Sequence, residues 1–258
     1  MPFPNYPDKY SSPAVLTAQE MIAFRRSLGR MPGIEPPEGV ILCLQRGLPE
    51  RLRFRYPLRR AGQLMGDLYL LRRSGGKAAV LTNFGIGASL IGALAEELIA
   101  WGVGRLVSIS WAGGLQPDLP PGSIVVCERA LRDEGTSHHY LPTEKYIHAN
   151  VELVDNLGQA LARRGIPHSI GATWTTDAPY RETLEEVRQY QEEGVKTVEM
   201  ESAALLAVGQ AHGVQAASIC VVGDSLASLR WIAPTDVRPV EKGLEAAYGA
   251  AIEVLSGE

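Results

Sequence analysis

The 258 residues include only three cysteines, 7% aromatics, no surplus of basic charge and no apolar run of membrane length. Each shortage excludes something. Cys43, Cys127 and Cys220 are odd in number, far apart and each set in an apolar run (VILCL, SIVVC, SICVV). That is the pattern of buried thiols in a reducing compartment, not of a disulfide framework. Lys+Arg 25 against Asp+Glu 29 gives a net charge of −4, so no global positive field exists to hold a polyanion, and nucleic acid is not expected as a partner. No stretch reaches the roughly 18 to 20 apolar residues that a bilayer span needs. The opening MPFPNYPDKYSSP also lacks the charged-then-apolar order of a secretion signal. The expectation is a cytoplasmic protein without a membrane partner. The five histidines form no HxH or HExxH spacing, and the adjacent His138 and His139 point to different sides, so no metal site is expected. GxSxG is missing as well, and with it the support for a hydrolase triad.

What remains is an ordinary globular composition, 45% hydrophobic and 21% charged, in a length that suits one large domain. Residues 1–39 are proline-rich around one amphipathic stretch (Thr17 to Leu28) and read as an arm; residues 40–258 read as the folded domain. From Val40 onward, strand-length apolar runs at 40–44, 78–84, 105–110, 123–127, 168–174 and 216–222 alternate with helical patterns. The helices are clearest at 90–101, 151–164, 181–193, 202–212 and 240–255. That is α/β architecture. Near-continuous apolar strands are buried on both faces, and such sheets place ligands at the carboxyl ends of strands.

Four loops at such ends carry polar motifs. Gln45 to Arg51 (QRGLPER) offers a glycine whose backbone N–H can approach an anion and an arginine with bidentate donors, or else is a solvated basic turn. Phe84 to Ser89 (FGIGAS) leads from strand to helix, either as a ligand-facing helix N-terminus or as a turn chosen for its geometry. It lacks the third glycine and the later acidic residue of a dinucleotide site, because Arg105 opens the next strand. In VEMES, Glu199 and Glu201 flank Met200 where a strand gives way to an apolar helix. They complement the helix dipole or, being pure acceptors, receive hydrogen bonds from adjacent sugar hydroxyls. Asp224, in the Gly223-Asp224-Ser225 directly after the run AASICVV, is a helix cap or sits where an α/β sheet keeps its chemistry.

Taken in order, GLPER (47–51), GIG (85–87), AEEL (95–98), AGGLQPDLPPGSIVV (112–126), GTSHHYLP (135–142), TTDAPYRE (175–182) and VEMES (198–202) resemble the nucleoside phosphorylase-I family. The likeness runs from about Val40 to the C-terminus. It implies a single-domain three-layer α/β/α sandwich around a mixed, partly closed β-sheet. It also implies homo-oligomers (dimers or trimers of dimers) and cleavage of a nucleoside N-glycosidic bond with inorganic phosphate as co-substrate and no cofactor. By position, the resemblance assigns Gly47 and Arg51 to phosphate, Met200 and Glu201 to ribose, Glu199 to the support of that pocket, Tyr180 to substrate and Asp224 to protonating a purine at N7. The chain departs from the family where phosphorylases carry a phosphate-binding Arg and Ser or Thr, which here are Ser108 and Trp111. It departs again at Pro179, where the family has an aromatic residue, and at Arg181-Glu182-Thr183, which does not reproduce the uridine-reading spacing. The expectation is a nucleoside phosphorylase, purine favoured and uridine possible. Its rivals are a hydrolytic nucleosidase of the same fold, with Glu50 positioning water, and a non-catalytic nucleoside-binding protein.

Overall fold

The computed structural model describes Tyr6, Lys9 and residues 12–257. Of the expected arm, residues 1–5, 7, 8, 10 and 11 lie outside the described residues. In chain order the elements are α1 (Ala18–Ser27), β1 (Gly39–Cys43), α2 (Leu48–Leu52), β2 (Leu58–Gln63), β3 (Asp67–Leu71), β4 (Ala78–Thr82), α3 (Ala88–Trp101), β5 (Arg105–Gly114), β6 (Ile124–Asp133), β7 (Tyr146–His148), α4 (Val151–Arg163), β8 (Ser169–Thr176), α5 (Leu184–Glu192), β9 (Thr197–Glu199), α6 (Ser202–His212), β10 (Gln215–Ser225) and α7 (Arg238–Ser256). Thr17 opens α1 with a capping box: its hydroxyl accepts the Glu20 N–H at 3.2 Å, and the Glu20 carboxylate accepts the Thr17 N–H at 2.8 Å. Ile22 of α1 is buried in the main core, and Arg25 donates to Glu97 of α3 at 3.0 Å, so this stretch covers α3.

All strands belong to one mixed sheet in the order β10-β6-β8-β9-β5-β1-β4-β3-β2, with β7 beside β6. β10 also pairs with β5, which closes β5, β10, β6, β8 and β9 into a ring. The closure depends on β5 changing neighbours along one edge. Residues 105–109 pair with β1, whereas Gly113 and Gly114 pair with β9. A ring this narrow admits only small side chains, and its interior is threaded with hydroxyls and a thiol. Ser108 bonds Ser218 at 2.7 Å, Thr197 bonds Thr173 at 2.9 Å, and Cys220 reaches across to Thr173 at 4.0 Å. The opposite faces of β5 and β10, with Val107, Ile109, Ile219 and Val221, join the main apolar core. Helices cover that core in two groups, α3 with α6 and α4 with α7.

The six apolar runs and five helical patterns of the sequence correspond to β1, β4, β5, β6, β8, β10 and to α3 to α7, with ends moved by a few residues. β2 and the short β7 and β9 carry no such run, and β3 carries one, LYLL, that was not among the expected strands. β2 is largely solvent-exposed and forms an edge of the sheet, where it carries Arg59 and Arg60. All three cysteines are buried free thiols, and burial pushes Cys43 and Cys220 up to about 12.

Candidate active site

β1, β4, β5 and β10 run parallel, so the loops after them open on one end of the sheet. There β10 carries a β-bulge: Val222 pairs with Ala112 and Asp224 pairs with Gly113, leaving Gly223 as the extra residue. The bulge re-aims Asp224 to the side occupied by Trp111. Only glycine fits at 223, because a Cβ there would stand 1.4 Å from Trp111 Nε1. The indole crossing above it donates to Asp224 Oδ1 at 3.1 Å, and Trp231, 70% exposed on the loop before α7, donates to Oδ2 at 2.6 Å. Both carboxylate oxygens therefore face groups that donate and cannot accept.

The VEMES segment folds tightly because Glu199 caps α6. Its Oε2 accepts the N–H groups of Glu201 and Ser202 at 2.8 Å each, and its Oε1 accepts the Thr175 hydroxyl at 2.6 Å. Thr175 in turn accepts the Ala203 N–H at 3.0 Å. Burial raises the pKa of Glu199, and these donors oppose that rise without cancelling it. Glu201 points the other way, to the glycine turn after β4, where its Oε1 accepts the Gly87 N–H at 2.6 Å. Gly87 has φ +104, a conformation that glycine adopts without strain, and it starts α3. With 4% exposure, Glu201 is pushed up to about 8 by burial first and by the charge of Glu199 second. Met200 between them is half-buried. The two carboxylates thus differ in work: Glu199 is consumed by the fold, and Glu201 is presented at the junction of α3 and α6.

A cavity of about 670 Å³ lies between the turn 179–182, α5 and the loop after β10, lined by Asp224, Glu182, Leu226, Leu229, Arg230 and Trp231 among others. Tyr180 stands at its rim, 99% exposed, and is held by no packing. Glu182, a residue the sequence motifs did not single out as chemical, is half-buried and pushed up to about 7, by burial first and by Asp224 second. Gly47 sits at the N-terminal end of α2. Arg51, one turn on, reaches sideways to α7, where it pairs with Glu241 at 2.5 Å with both side chains about half-exposed. Glu50 turns inward, and its Oε2 is buried with no hydrogen-bond partner. The structure therefore brings Asp224, Glu182 and Tyr180 around one cavity and Glu199, Met200 and Glu201 around the α6 start, with Gly47 and Arg51 on the α2 turn. His138 and His139 diverge, to the Arg132 carbonyl at 3.1 Å and to Lys9 at 2.5 Å, and no group of three metal-ligating side chains occurs among the described residues.

The chain is thus an α/β protein whose mixed sheet closes into a ring, with acidic groups at the strand ends. Residues 50–254 match the phosphorylase superfamily, and the chain belongs to that family. Among its relatives, a uridine phosphorylase of Haemophilus influenzae is 29% identical over 161 residues, 57% of this chain and 64% of the relative. A DeoD-type purine nucleoside phosphorylase of Caldanaerobacter subterraneus subsp. tengcongensis is 32% identical over 158 residues, 58% of this chain and 66% of the relative. The matched part thus spans just under two thirds of these relatives. The crystal structure of uridine phosphorylase from Vibrio fischeri ES114 superposes with a TM-score of 0.73 at 22% identity, covering 87% of this chain and 92% of that one. That likeness establishes the fold, a mixed sheet closed into a partial barrel within one α/β domain.

Proposed function

We propose that the protein is a nucleoside phosphorylase, transferring the ribosyl group of a nucleoside from its base to inorganic phosphate, with a purine favoured over uridine. The observation that carries the reading is Glu201, a buried carboxyl group fixed by the Gly87 N–H where α3 and α6 begin. It is an acceptor suited to the paired hydroxyls of a ribose, with Met200 beside it and Glu199 bracing the turn. The base enters the cavity by Asp224, and Tyr180 closes on it from the rim. As C1′–N stretches, positive charge grows on the sugar and negative charge on the base; an anion at C1′ and hydrogen-bond donors at the base stabilise both. Gly47 and Arg51 hold the phosphate, for which Arg51 exchanges its exposed partner Glu241. Uridine and purine nucleoside phosphorylases among the relatives support the same reaction. No organic cofactor or metal enters this reading, and a homo-oligomeric cytoplasmic enzyme is part of it; no described helix is long and apolar enough to cross a membrane.

Two observations favour a second reading, hydrolysis. By the resemblance, Trp111 stands in place of the phosphate-binding Ser or Thr of the family's phosphorylases, and the buried Glu50 Oε2 lacks a partner that a water would supply. A panel of purine and pyrimidine nucleosides assayed for base release with and without phosphate separates the two. Phosphorolysis gives phosphate-dependent release and ribose 1-phosphate; phosphate-independent release moves the assignment to a nucleosidase, and ligand binding without release to a non-catalytic protein.

A further inference from the structure

We propose that the cavity beside Asp224 selects a purine nucleoside whose 6-amino group carries a bulky apolar substituent, with Trp231 as the specificity-determining side chain. The proposal rests on the nucleoside-cleaving function above and names the substrate class of that site. Asp224 lines the cavity of about 670 Å³, whereas Glu199, Met200 and Glu201 do not. The space therefore belongs to the base and to whatever the base carries, not to the ribose. Clefts of about 300 to 1,000 Å³ suit drug-sized ligands, so a bare purine leaves much of this one empty.

The walls define what fills the rest. Val187 is buried in the second apolar cluster, and Leu226 and Leu229 pack against that cluster, so the floor is fixed. Leu184 and Trp231 line the same space yet are 49% and 70% exposed. Trp231 is nevertheless held in place. Its indole donates to Asp224 at 2.6 Å, and Ser225 and Ile232 exchange backbone hydrogen bonds of 3.0 Å and 2.8 Å across the neck of its loop. Gln191 of α5 braces that loop by donating to the Ala227 carbonyl at 3.0 Å. A concave apolar surface that is already rigid binds an apolar group without first being ordered, and large exposed apolar side chains gathered around one cavity mark a ligand groove.

The polar groups fix where the substituent is attached. Purine N7, which the resemblance assigns to Asp224, and the group on C6 share one edge of the base. With N7 at Asp224, a substituent on the 6-amino nitrogen therefore continues into the cavity. A secondary amine at that position keeps one N–H, which the carboxyl of Asp224 or of Glu182 accepts. Arg230 also lines the cavity but is exposed, and two carboxyl groups against one solvated arginine disfavour an anionic substituent.

The test compares kcat/KM for base release from N6-benzyladenosine and from adenosine, with and without phosphate, in wild type, Trp231→Ala and Leu184→Trp. The ratio of the two values cancels whatever a substitution does to the bond cleavage common to both substrates. We expect the wild type to favour N6-benzyladenosine by about 10-fold or more, the scale on which apolar pockets discriminate. Trp231→Ala removes the ring that meets the substituent, and Leu184→Trp fills the cavity from its exposed edge; each should bring the ratio to parity or below. Because Leu184 is exposed and outside the apolar clusters, the second variant keeps the test decisive if the first does not fold. The proposal is overturned if the wild type cleaves adenosine as well as N6-benzyladenosine or better, or if neither variant changes the ratio. Cleavage of uridine but of no purine nucleoside overturns it too. Failure of the wild type to release base from any nucleoside, with or without phosphate, overturns the function proposed above instead.

Discussion

Replacing Glu201 by glutamine should make the protein more stable at alkaline pH and a poorer catalyst. In the unfolded chain this carboxyl ionises near 4.5, whereas in the folded protein burial and Glu199 hold its proton up to about 8. Between those values the native state binds more protons than the unfolded one, so wild-type stability falls as pH rises through the window and the deficit is complete above it. The whole shift, at about 1.4 kcal/mol per unit, caps the penalty at roughly 5 kcal/mol. Local relaxation and sharing of the proton with Glu199 reduce what is measurable to about 1 to 3 kcal/mol. A glutamine keeps one oxygen for the Gly87 N–H, now at 2.6 Å, and carries no charge, so the variant lacks this slope. Urea unfolding at pH 5.5 and pH 9 gives the double difference. The variant's advantage should grow by about 1 to 3 kcal/mol from the lower pH to the higher. An advantage that is flat, or that shrinks toward pH 9, refutes the burial and coupling argument. Turnover supplies the complementary reading: the variant should lose most of its kcat/KM on ribonucleosides, and much less on 2′,3′-dideoxynucleosides, which have no hydroxyls to offer.

Gly223→Ala should destabilise by more than about 2 kcal/mol, since its methyl must displace the Trp111 ring. Denaturant midpoints and a shift in tryptophan emission report the displacement, and an unchanged midpoint with native emission contradicts the bulge geometry. Arg51→Ala removes an ion pair whose partners are 50% and 47% exposed, so stability should change by less than about 1 kcal/mol. If phosphate binds there, KM for phosphate should rise far more than KM for nucleoside, and an unchanged phosphate KM removes Arg51 from the site.

The Arg51 and Asp224 motifs also show how local readings differ from tertiary ones. Patterns within a few residues were enough to read six strands and five helices, because burial of a strand on two faces or of a helix on one imposes a local periodicity. The same holds for the buried cysteines and for the glycine turn before α3. VEMES and the residues after AASICVV were legible as chemistry for a similar reason: carboxylates next to continuous apolar runs are conspicuous. β2 left no such mark because its exposed edge carries Arg59 and Arg60, and β9 is three residues long and stabilised by neighbours far away in the chain. Ring closure was likewise invisible, since it depends on β5 exchanging β1 for β9 and on small hydroxyl side chains from four strands meeting inside. Within the site, sequence order placed Asp224 at a strand end, but its partners, Trp111 and Trp231, are brought to it by a bulge and a returning loop. Glu182 lies two residues after Tyr180, but nothing in the sequence set its carboxyl apart from those of exposed acids. A hydrophobic pattern is a property of contiguous residues, and so the sequence determines which segments are strands, helices and acidic turns. Whether a carboxyl is held charged or keeps its proton depends on which distant groups exclude water from it and which donors or charges they bring, and that only the tertiary structure decides.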